Sequence, residues 1–376
     1  MKRSTERLGV GIIGCGNISA SYLRLAPLFN GLEVRGVADI RTEAAQARAE
    51  EFGVRAYSVA DLLGSETIDV VVNLTVPDAH YSVSRSALEA GKHVYSEKPL
   101  VLTLEEGEAL QDIAARKGLR IGSAPDTFLG GAHQLARARI DEGLVGRIVA
   151  GSAHMMSRGM EHWHPNPGFF FQPGAGPVLD VGIYYIANMI QFIGPIRRVA
   201  ALASSARATR TILSEPRRGE KITVGTPTNI HALLEFRSGA TITLSASWDV
   251  WAHRHGNLEL YGLEGSLFVP DPNFFGGNVE YAGHDGNIAA LDPWEHSLGV
   301  PNRDGRADYR TAGLADMAQA LIDGRMHRCS LDLALHSVDV MTSILRAGEE
   351  GAWIELSTTC ERPDPLGPRE ARAMLA

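Results

Sequence analysis

Leu8-Gly-Val-Gly-Ile-Ile-Gly14-Cys15-Gly16-Asn17-Ile18-Ser19 is the stretch that decides the architecture. Its first six residues are apolar or glycine, as expected of a strand covered on both faces, and the glycine pair leads straight into an amphipathic segment, Ile18–Phe29. A strand that passes through Gly-x-Gly-x-x-small into a helix is the context that makes a dinucleotide fingerprint specific. Gly14 is expected to make the tight turn, and Gly16, without a Cβ, to let a pyrophosphate approach the backbone N–H groups of Asn17 and Ile18. Ser19 stands where a third glycine is usual and is still small enough for close packing. Asp39 ends the next strand about 20 residues on, where a carboxylate accepts hydrogen bonds from an adenosine ribose and repels a 2′-phosphate. The expected cofactor is therefore NAD, with NADP possible because Arg41 offers a phosphate a partner. Cys15, inside the turn, reads as a small filler.

Outward from this turn the pattern repeats. Short β-branched runs at Leu32–Ala38, Val70–Leu74, His93–Tyr95 and Leu119–Gly122 alternate with helical patterns at Thr42–Phe52, Ala79–Ala90 and Leu104–Lys117. Such alternation means βαβ units and a doubly wound parallel sheet, read here as a domain over residues 1–125. From 126 to 376 the order changes. After a linking helix (Gly131–Glu142), a strand (Arg147–Met155), a Pro/Gly/aromatic loop and a helix (Val178–Phe192) come five successive strand candidates between Arg198 and Val269. That run predicts a second α+β domain with a large, mostly antiparallel open sheet. Turns at Glu235–Ala240 and Gly262–Gly265 are expected to draw positive φ from Gly239 and Gly265. Two helices, about Thr311–Ile322 and Leu331–Leu345, follow.

Composition narrows the class. With 376 residues and 44% hydrophobic content the chain can build two cores. Its 36 Lys and Arg against 44 Asp and Glu give a net charge of −8, which argues against a nucleic-acid partner. Three scattered cysteines point to a reducing, cytoplasmic setting without a disulfide framework. The charged start, Met1–Arg7, leads into a glycine-interrupted strand rather than a leader's apolar core, and no segment is long enough to span a membrane.

Three further motifs carry a resemblance: Thr75-Val-Pro77-Asp-Ala-His80, Glu97-Lys98-Pro99, and Gly174-Ala-Gly176-Pro-Val-Leu-Asp180-Val-Gly182-Ile-Tyr184. In this order and on these strand ends they resemble the Gfo/Idh/MocA family. The resemblance implies a Rossmann domain joined to a C-terminal α/β domain, a pyridine nucleotide, and sugars, cyclitols or their derivatives as substrates. It also implies that Leu74, Thr75, Pro77, His80 and Glu97 run along the cofactor, that Lys98 lies near the nicotinamide with a cis Lys-Pro peptide, and that Asp180 is the family's acid. Tyr184 stands where many members have histidine and others tyrosine.

Oxidising a secondary alcohol by hydride transfer requires an acceptor for the hydroxyl proton. Asp180 and Tyr184, four apart on an expected helix, share a face and are expected to converge with Lys98 on that hydroxyl. A tyrosine titrates near ~10, so its phenolate needs a cation, which Lys98 supplies. Tyr184 is read as the proton acceptor, although an exchange of roles with Lys98 stays open. Asp180 is read as fixing the hydroxyl or the lysine. Tyr185, about 100° away, is expected in the core. In the loop, His162, Trp163 and His164 suit a polyol, the indole stacking on C–H faces and the imidazoles bonding hydroxyls, with Glu161 beside them. No metal is expected from His154, His162 and His164, whose spacing lacks further ligands. Asp126, after the last Rossmann strand, is expected either to meet substrate or to cap the linking helix.

The leading function is thus an NAD(P)-dependent oxidoreductase acting on CH–OH groups. The alternatives are an NAD-dependent glycoside-cleaving enzyme that oxidises a sugar transiently, and a nucleotide-binding regulatory protein on the same fold. An open sheet invites a homodimer or homotetramer.

Overall fold

The computed structural model describes residues 7–376, so the charged start lies outside it except for Arg7. By contact density the chain divides into two compact units, one of Gly131 and the residues before it together with Glu295–Val338 and Pro363–Ala376, the other of Ala132–Trp294 and Asp339–Arg362.

The first unit holds six parallel strands: β1 (Leu8–Ile13), β2 (Leu32–Ala38), β3 (Arg55–Tyr57), β4 (Val70–Asn73), β5 (His93–Ser96) and β6 (Ile121–Ser123), in the order β3-β2-β1-β4-β5-β6. Between them run α1 (Ser19–Leu25), α2 (Thr42–Phe52), α3 (Val59–Gly64), α4 (Pro77–Glu89) and α5 (Leu104–Lys117). This is the doubly wound arrangement expected, and its order reverses between β1 and β4, where the crevice at the strands' carboxyl ends receives ligands. The first helix is shorter than its apolar pattern. Pro27 lacks an N–H, so α1 stops at Leu25 and a 3-10 turn, Ala26–Leu28, finishes the segment.

The second unit contains α6 (Gly131–Asp141), β7 (Ile148–Met156), α7 (Ile183–Ile193), β8 (Ile196–Ser204), β9 (Thr209–Thr211), β10 (Lys221–Thr223), β11 (Asn229–Phe236), β12 (Thr241–Ser247), β13 (Leu258–Gly262), β14 (Ser266–Val269), β15 (Glu280–Ala282) and β16 (Ala289–Ala290). After α8 (Ala312–Asp323) and α9 (Leu331–Glu350), β17 (Ile354–Glu355) joins a nine-stranded sheet ordered β16-β15-β14-β13-β7-β12-β11-β8-β17, antiparallel except at β7–β12. Burial alternates along β11, so one face is packed and the other meets water. β9 and β10 pair separately. A last helix, α10 (Pro368–Met374), belongs to the first unit. Gly239 has φ +87°, as its hairpin requires. Gly265 does not adopt positive φ. It is glycine because a Cβ there would lie 2.6 Å from the Tyr281 ring and 2.7 Å from the Ala282 carbonyl.

The contiguous division at 125/126 differs from the compact units. Ser123 N–H donates to Cys329 O (3.1 Å), His327 Nε2 lies 3.1 Å from Ile121 O, and Phe29 bridges to Leu375, so α8, the start of α9 and α10 complete the first unit's core. Asp126 is a joint in this closure. Its Oδ2 accepts N–H bonds from Thr311 and Gly313, both 3.0 Å, at the start of α8. It therefore caps a helix far along the chain, not the linking helix. Burial pushes its carboxyl from 3.8 up to about 6, against the pull of those two N–H groups. Because folding raises this pKa, the associated stabilisation is complete below about pH 4 and is lost as pH rises through 6, a change of about 3 kcal/mol. In urea titrations Asp126→Asn, which cannot ionise, should accordingly gain about 3 kcal/mol on the parent chain between pH 4 and pH 7. A stability difference that does not vary with pH would contradict the buried carboxyl.

Candidate active site

The fingerprint turn is built against the end of β4. Gly14 has φ +103°, and a Cβ there would lie 2.6 Å from both the carbon and the oxygen of the Leu74 carbonyl, so only glycine fits. Gly16 is different: a Cβ on it would meet nothing within 4 Å. The chain itself does not need a glycine at 16, which leaves that side of the turn open for a ligand's phosphates. Asn17 is exposed beside it, and Ile18 caps α1 without any side-chain acceptor for the first N–H groups. Ser19 is fully buried and folds its hydroxyl back onto Gly16 O (2.6 Å), so it substitutes for the third glycine by bonding the turn.

Asp39 holds this turn from β2. Its Oδ2 accepts the Cys15 N–H (2.8 Å) and its Oδ1 the Arg41 N–H (2.9 Å), which leaves each oxygen with acceptor capacity for ribose hydroxyls. The Arg41 guanidinium is largely exposed, with Nε 3.9 Å from Asp39 Oδ1, and Arg48 Nη2 donates to Gly16 O (3.2 Å). Burial, then the charge of Asp39, pushes the Cys15 thiol up to about 11, consistent with a filler. Sequence reading missed two apolar side chains flanking this turn: Ile40, 95% exposed, and Val76, 66% exposed. Each follows a site residue, Asp39 and Thr75, and their exposure is what a flat apolar base would cover. The turn, the Asp39 carboxylate and these two side chains together fit an adenine dinucleotide.

Farther along the strand ends the side chains brace one another. Asn73 Oδ1 accepts from the Thr75 hydroxyl (2.7 Å) while its amide donates to His80 O and Ser84 Oγ. Pro77 opens α4. His80, only 1% exposed, lies with Nδ1 2.6 Å from Pro99 O and Nε2 3.1 Å from Thr75 O. It ties together the two loops that carry Thr75 and Lys98, and it does not face the crevice. Tyr22 OH donates to Glu97 Oε1 (3.1 Å), whose other oxygen accepts the Lys98 N–H. Lys98 is half-buried and its peptide bond to Pro99 is cis, as the resemblance implied. Asp126, expected at the substrate, is 3% exposed and engaged at α8.

In the second unit the segment expected to be one α-helix begins as a π-helical turn, Val178–Gly182, before α7. Wider turns of this kind occur mostly at functional positions. Asp180 and Tyr184 are both half-buried, whereas Tyr185 points into the core, its hydroxyl donating to Asp271 (3.1 Å). His164 is brought close enough to Asp180 for that charge to oppose the lowering of its pKa by burial. The Asn166 N–H donates to His164 Nδ1 (3.1 Å), which leaves Nε2 as the protonated nitrogen of a neutral ring. Trp163 and Phe169, 58% and 48% exposed, each meet the His164 ring edge-on, with centroids 5.3 and 5.6 Å away. His162 is half-buried, and burial lowers its pKa. Glu161 is 8% exposed, with Oε1 paired to Arg210 at 2.6 Å and Oε2 buried without a hydrogen-bond partner. His154 stacks on His255 (4.1 Å, 18°), and among the described residues no three His, Cys, Asp or Glu side chains form a ligand set.

Residues 8–124 match the GFO_IDH_MocA family described as an oxidoreductase family with an NAD-binding Rossmann fold, and residues 133–268 match the GFO/IDH/MocA C-terminal domain. Levoglucosan dehydrogenase of Pseudarthrobacter phenanthrenivorans is 28% identical over 292 residues, 70% of this chain and 73% of that protein. An uncharacterised oxidoreductase of Schizosaccharomyces pombe is 32% identical over 194 residues, and the chain spans about half of its length (51%). A solved levoglucosan dehydrogenase in its apo form superposes with a TM-score of 0.81 at 22% identity, covering 94% of this chain and 100% of that one, which establishes the fold.

The role of Asp39 can be tested by fluorescence titration. Asp39→Ser should weaken NAD+ about tenfold, the worth of a charge-assisted ribose contact, while NADP+ binding holds or tightens against Arg41. Equal losses for both nucleotides would assign Asp39 to the turn alone.

Proposed function

The chain belongs to the Gfo/Idh/MocA oxidoreductase family, and on that premise we propose that it transfers a hydride between nicotinamide and a carbon bearing a secondary hydroxyl, or its ketone, in a sugar, cyclitol or sugar derivative. The observation that carries the reading is the half-buried Asp180 and Tyr184 at the junction of a π turn and α7, preceded by a loop in which His164 meets two exposed aromatic rings. Carboxylate and imidazole bond hydroxyls, and the rings cover the C–H faces between them. That combination suits a polyol better than a fatty or anionic substrate.

Bound NAD supplies the acceptor or donor of the hydride. The chain's part is to hold the hydroxyl and manage its proton. The Lys98 ammonium holds Tyr184 as the phenolate, which takes that proton and becomes the neutral phenol as the hydride leaves the carbon, and Asp180 orients the hydroxyl or the lysine. His162, Trp163 and His164 position the rest of the ring. Gly14, Gly16, Asn17, Ile18, Asp39 and Arg41 hold the adenosine diphosphate half, and Leu74, Thr75, Pro77 and Glu97 the path to the nicotinamide. His80 contributes by bracing two of those loops.

The protein is further proposed to act as a homodimer or homotetramer in the cytoplasm. The water-facing side of the large sheet leaves Leu202 76%, Leu233 49% and Trp353 48% exposed around a trough of about 590 Å³ that His231 and Ser245 also line. The rim pairs Arg197 and Arg198 with Glu235 and Glu355, so charges of both signs are present, as a two-fold contact needs. No described helix is long and apolar enough to cross a membrane, and Cys15, Cys329 and Cys360 are buried without a disulfide.

Turnover with NAD+ and a panel of aldoses, uronates, inositols and glycosides, read by NADH absorbance, tests the activity. Tyr184→Phe and Lys98→Met should each lower kcat by about 10²-fold or more, and Asp180→Asn somewhat less, with NAD+ affinity nearly unchanged. Full activity in both of the first two variants would remove the proton-transfer scheme. Loss of aglycone from glycosides without net NADH would favour the glycoside-cleaving alternative. On a sizing column Leu202→Asp should shift the assembly toward smaller species, and an unchanged profile would move the contact elsewhere.

A further inference from the structure

The loop that carries His162, Trp163 and His164 has little regular structure of its own, a single 3-10 turn at Pro167–Phe171. Its shape is imposed by the residues between β8 and β11, an arm that contains β9 and β10. Leu213 N–H donates to Glu161 O (2.8 Å), Ser214 Oγ to His164 O (2.5 Å), Gly225 N–H to Phe171 O (2.8 Å), and Thr226 Oγ1 to Ala175 O (3.4 Å). Phe170 and Phe171 pack with Ile212, Ile222 and Trp248 in one buried cluster.

At the centre stands Arg210 on β9, 5% exposed. Its Nη1 donates to Glu161 Oε1 (2.6 Å) and Arg158 O (3.2 Å), its Nη2 to Trp248 O (2.9 Å) and Asp249 Oδ1 (2.5 Å), and its guanidinium carbon lies 5.0 Å from the centre of the Phe171 ring. Asp249 in turn accepts the Thr228 hydroxyl (2.6 Å). One planar fork thus joins both ends of the loop to the end of β12, a geometry that lysine cannot reproduce. The residue next to Glu161 in sequence begins the His162-Trp163-His164 run.

We propose that Arg210 is a positioning residue for the substrate: by fixing Glu161 it sets where His164 and Trp163 meet the sugar. The inference rests on the reading that this loop binds the sugar. The bonds of Arg210 go to the loop and to the end of β12, so its loss acts on substrate fit before it acts on chemistry.

Arg210→Met alone leaves the buried Glu161 and the partly buried Asp249 without their cation and risks the fold. The test therefore also uses the charge-free combination Arg210→Met, Glu161→Gln, Asp249→Asn, since removing all members of a buried ionic cluster costs far less stability than removing one. In both backgrounds KM for the sugar should rise about 30-fold, in line with the effect of misplacing a binding group by a fraction of an ångström, while kcat changes less than about threefold. NAD+ affinity, measured by fluorescence, should not move. Arg210→Lys should recover only part of the loss. His164→Ala should raise KM in the parent chain and add less than about threefold in the charge-free variant, because the same contact is already lost. Multiplicative effects of the two changes, or an unchanged KM in the charge-free variant while His164→Ala raises it, would overturn the role of Arg210. An unchanged KM in His164→Ala itself would instead overturn the sugar-binding reading of the loop.

Discussion

The structure depends on the wedge of Gly14 against the residues that follow β4. The backbone passes so close to Leu74 and Thr75 that no side chain fits, and the turn is then held from β2 by the carboxylate of Asp39 on the Cys15 N–H. Because β1 lies between β2 and β4, this contact fixes where their carboxyl ends stand. The loops bearing Asp39, Thr75 and Lys98 depart from that region, and the latter two are locked by side chains lying below them. Asn73 holds Thr75, His80 spans Thr75 and Pro99, and Tyr22 holds Glu97. The nucleotide-facing surface is thus mostly backbone and short side chains, while the bonds that shape it are buried.

The second unit solves a different problem. Asp180 and Tyr184 are held by a helix whose other positions are buried almost without exception, so their placement is rigid. The loop beside them has only short turns of its own, such as those closed by His164 N–H on Met160 O (3.0 Å) and Gly176 N–H on Phe170 O (3.1 Å). A largely buried ion cluster and an aromatic core hold the rest of the loop.

Much of this was legible in the sequence. Burial on both faces makes β1 and the first three residues of β4 apolar or glycine, and a glycine pair between strand and helix is demanded by few structures besides a phosphate-binding turn, so the first unit's order and its turn follow from local pattern. What was illegible depends on distant partners. Asp126 lies where a ligand would be expected, yet it caps α8, which begins just after Thr311, and nothing near Asp126 in sequence announces that contact. The same long-range closure makes the first unit discontinuous. Strands of two or three residues, such as β9, β16 and β17, are too short for a period to show. The π turn at Asp180 differs from an α-helix by one hydrogen-bond step, which composition does not register. Ile40 and Val76 could have been found, since an apolar residue directly after a strand-end acid or threonine is out of place in water unless something covers it.

The central claim is that a hydride passes directly from a sugar carbon to nicotinamide held at this turn. Incubating the protein and NAD+ with a turned-over sugar deuterated at its hydroxyl-bearing carbons measures that transfer, with NMR of the NADH as the readout. The account predicts one deuterium at C4 of the nicotinamide for each ketone formed. NADH without deuterium, or ketone formed without NADH, would contradict it.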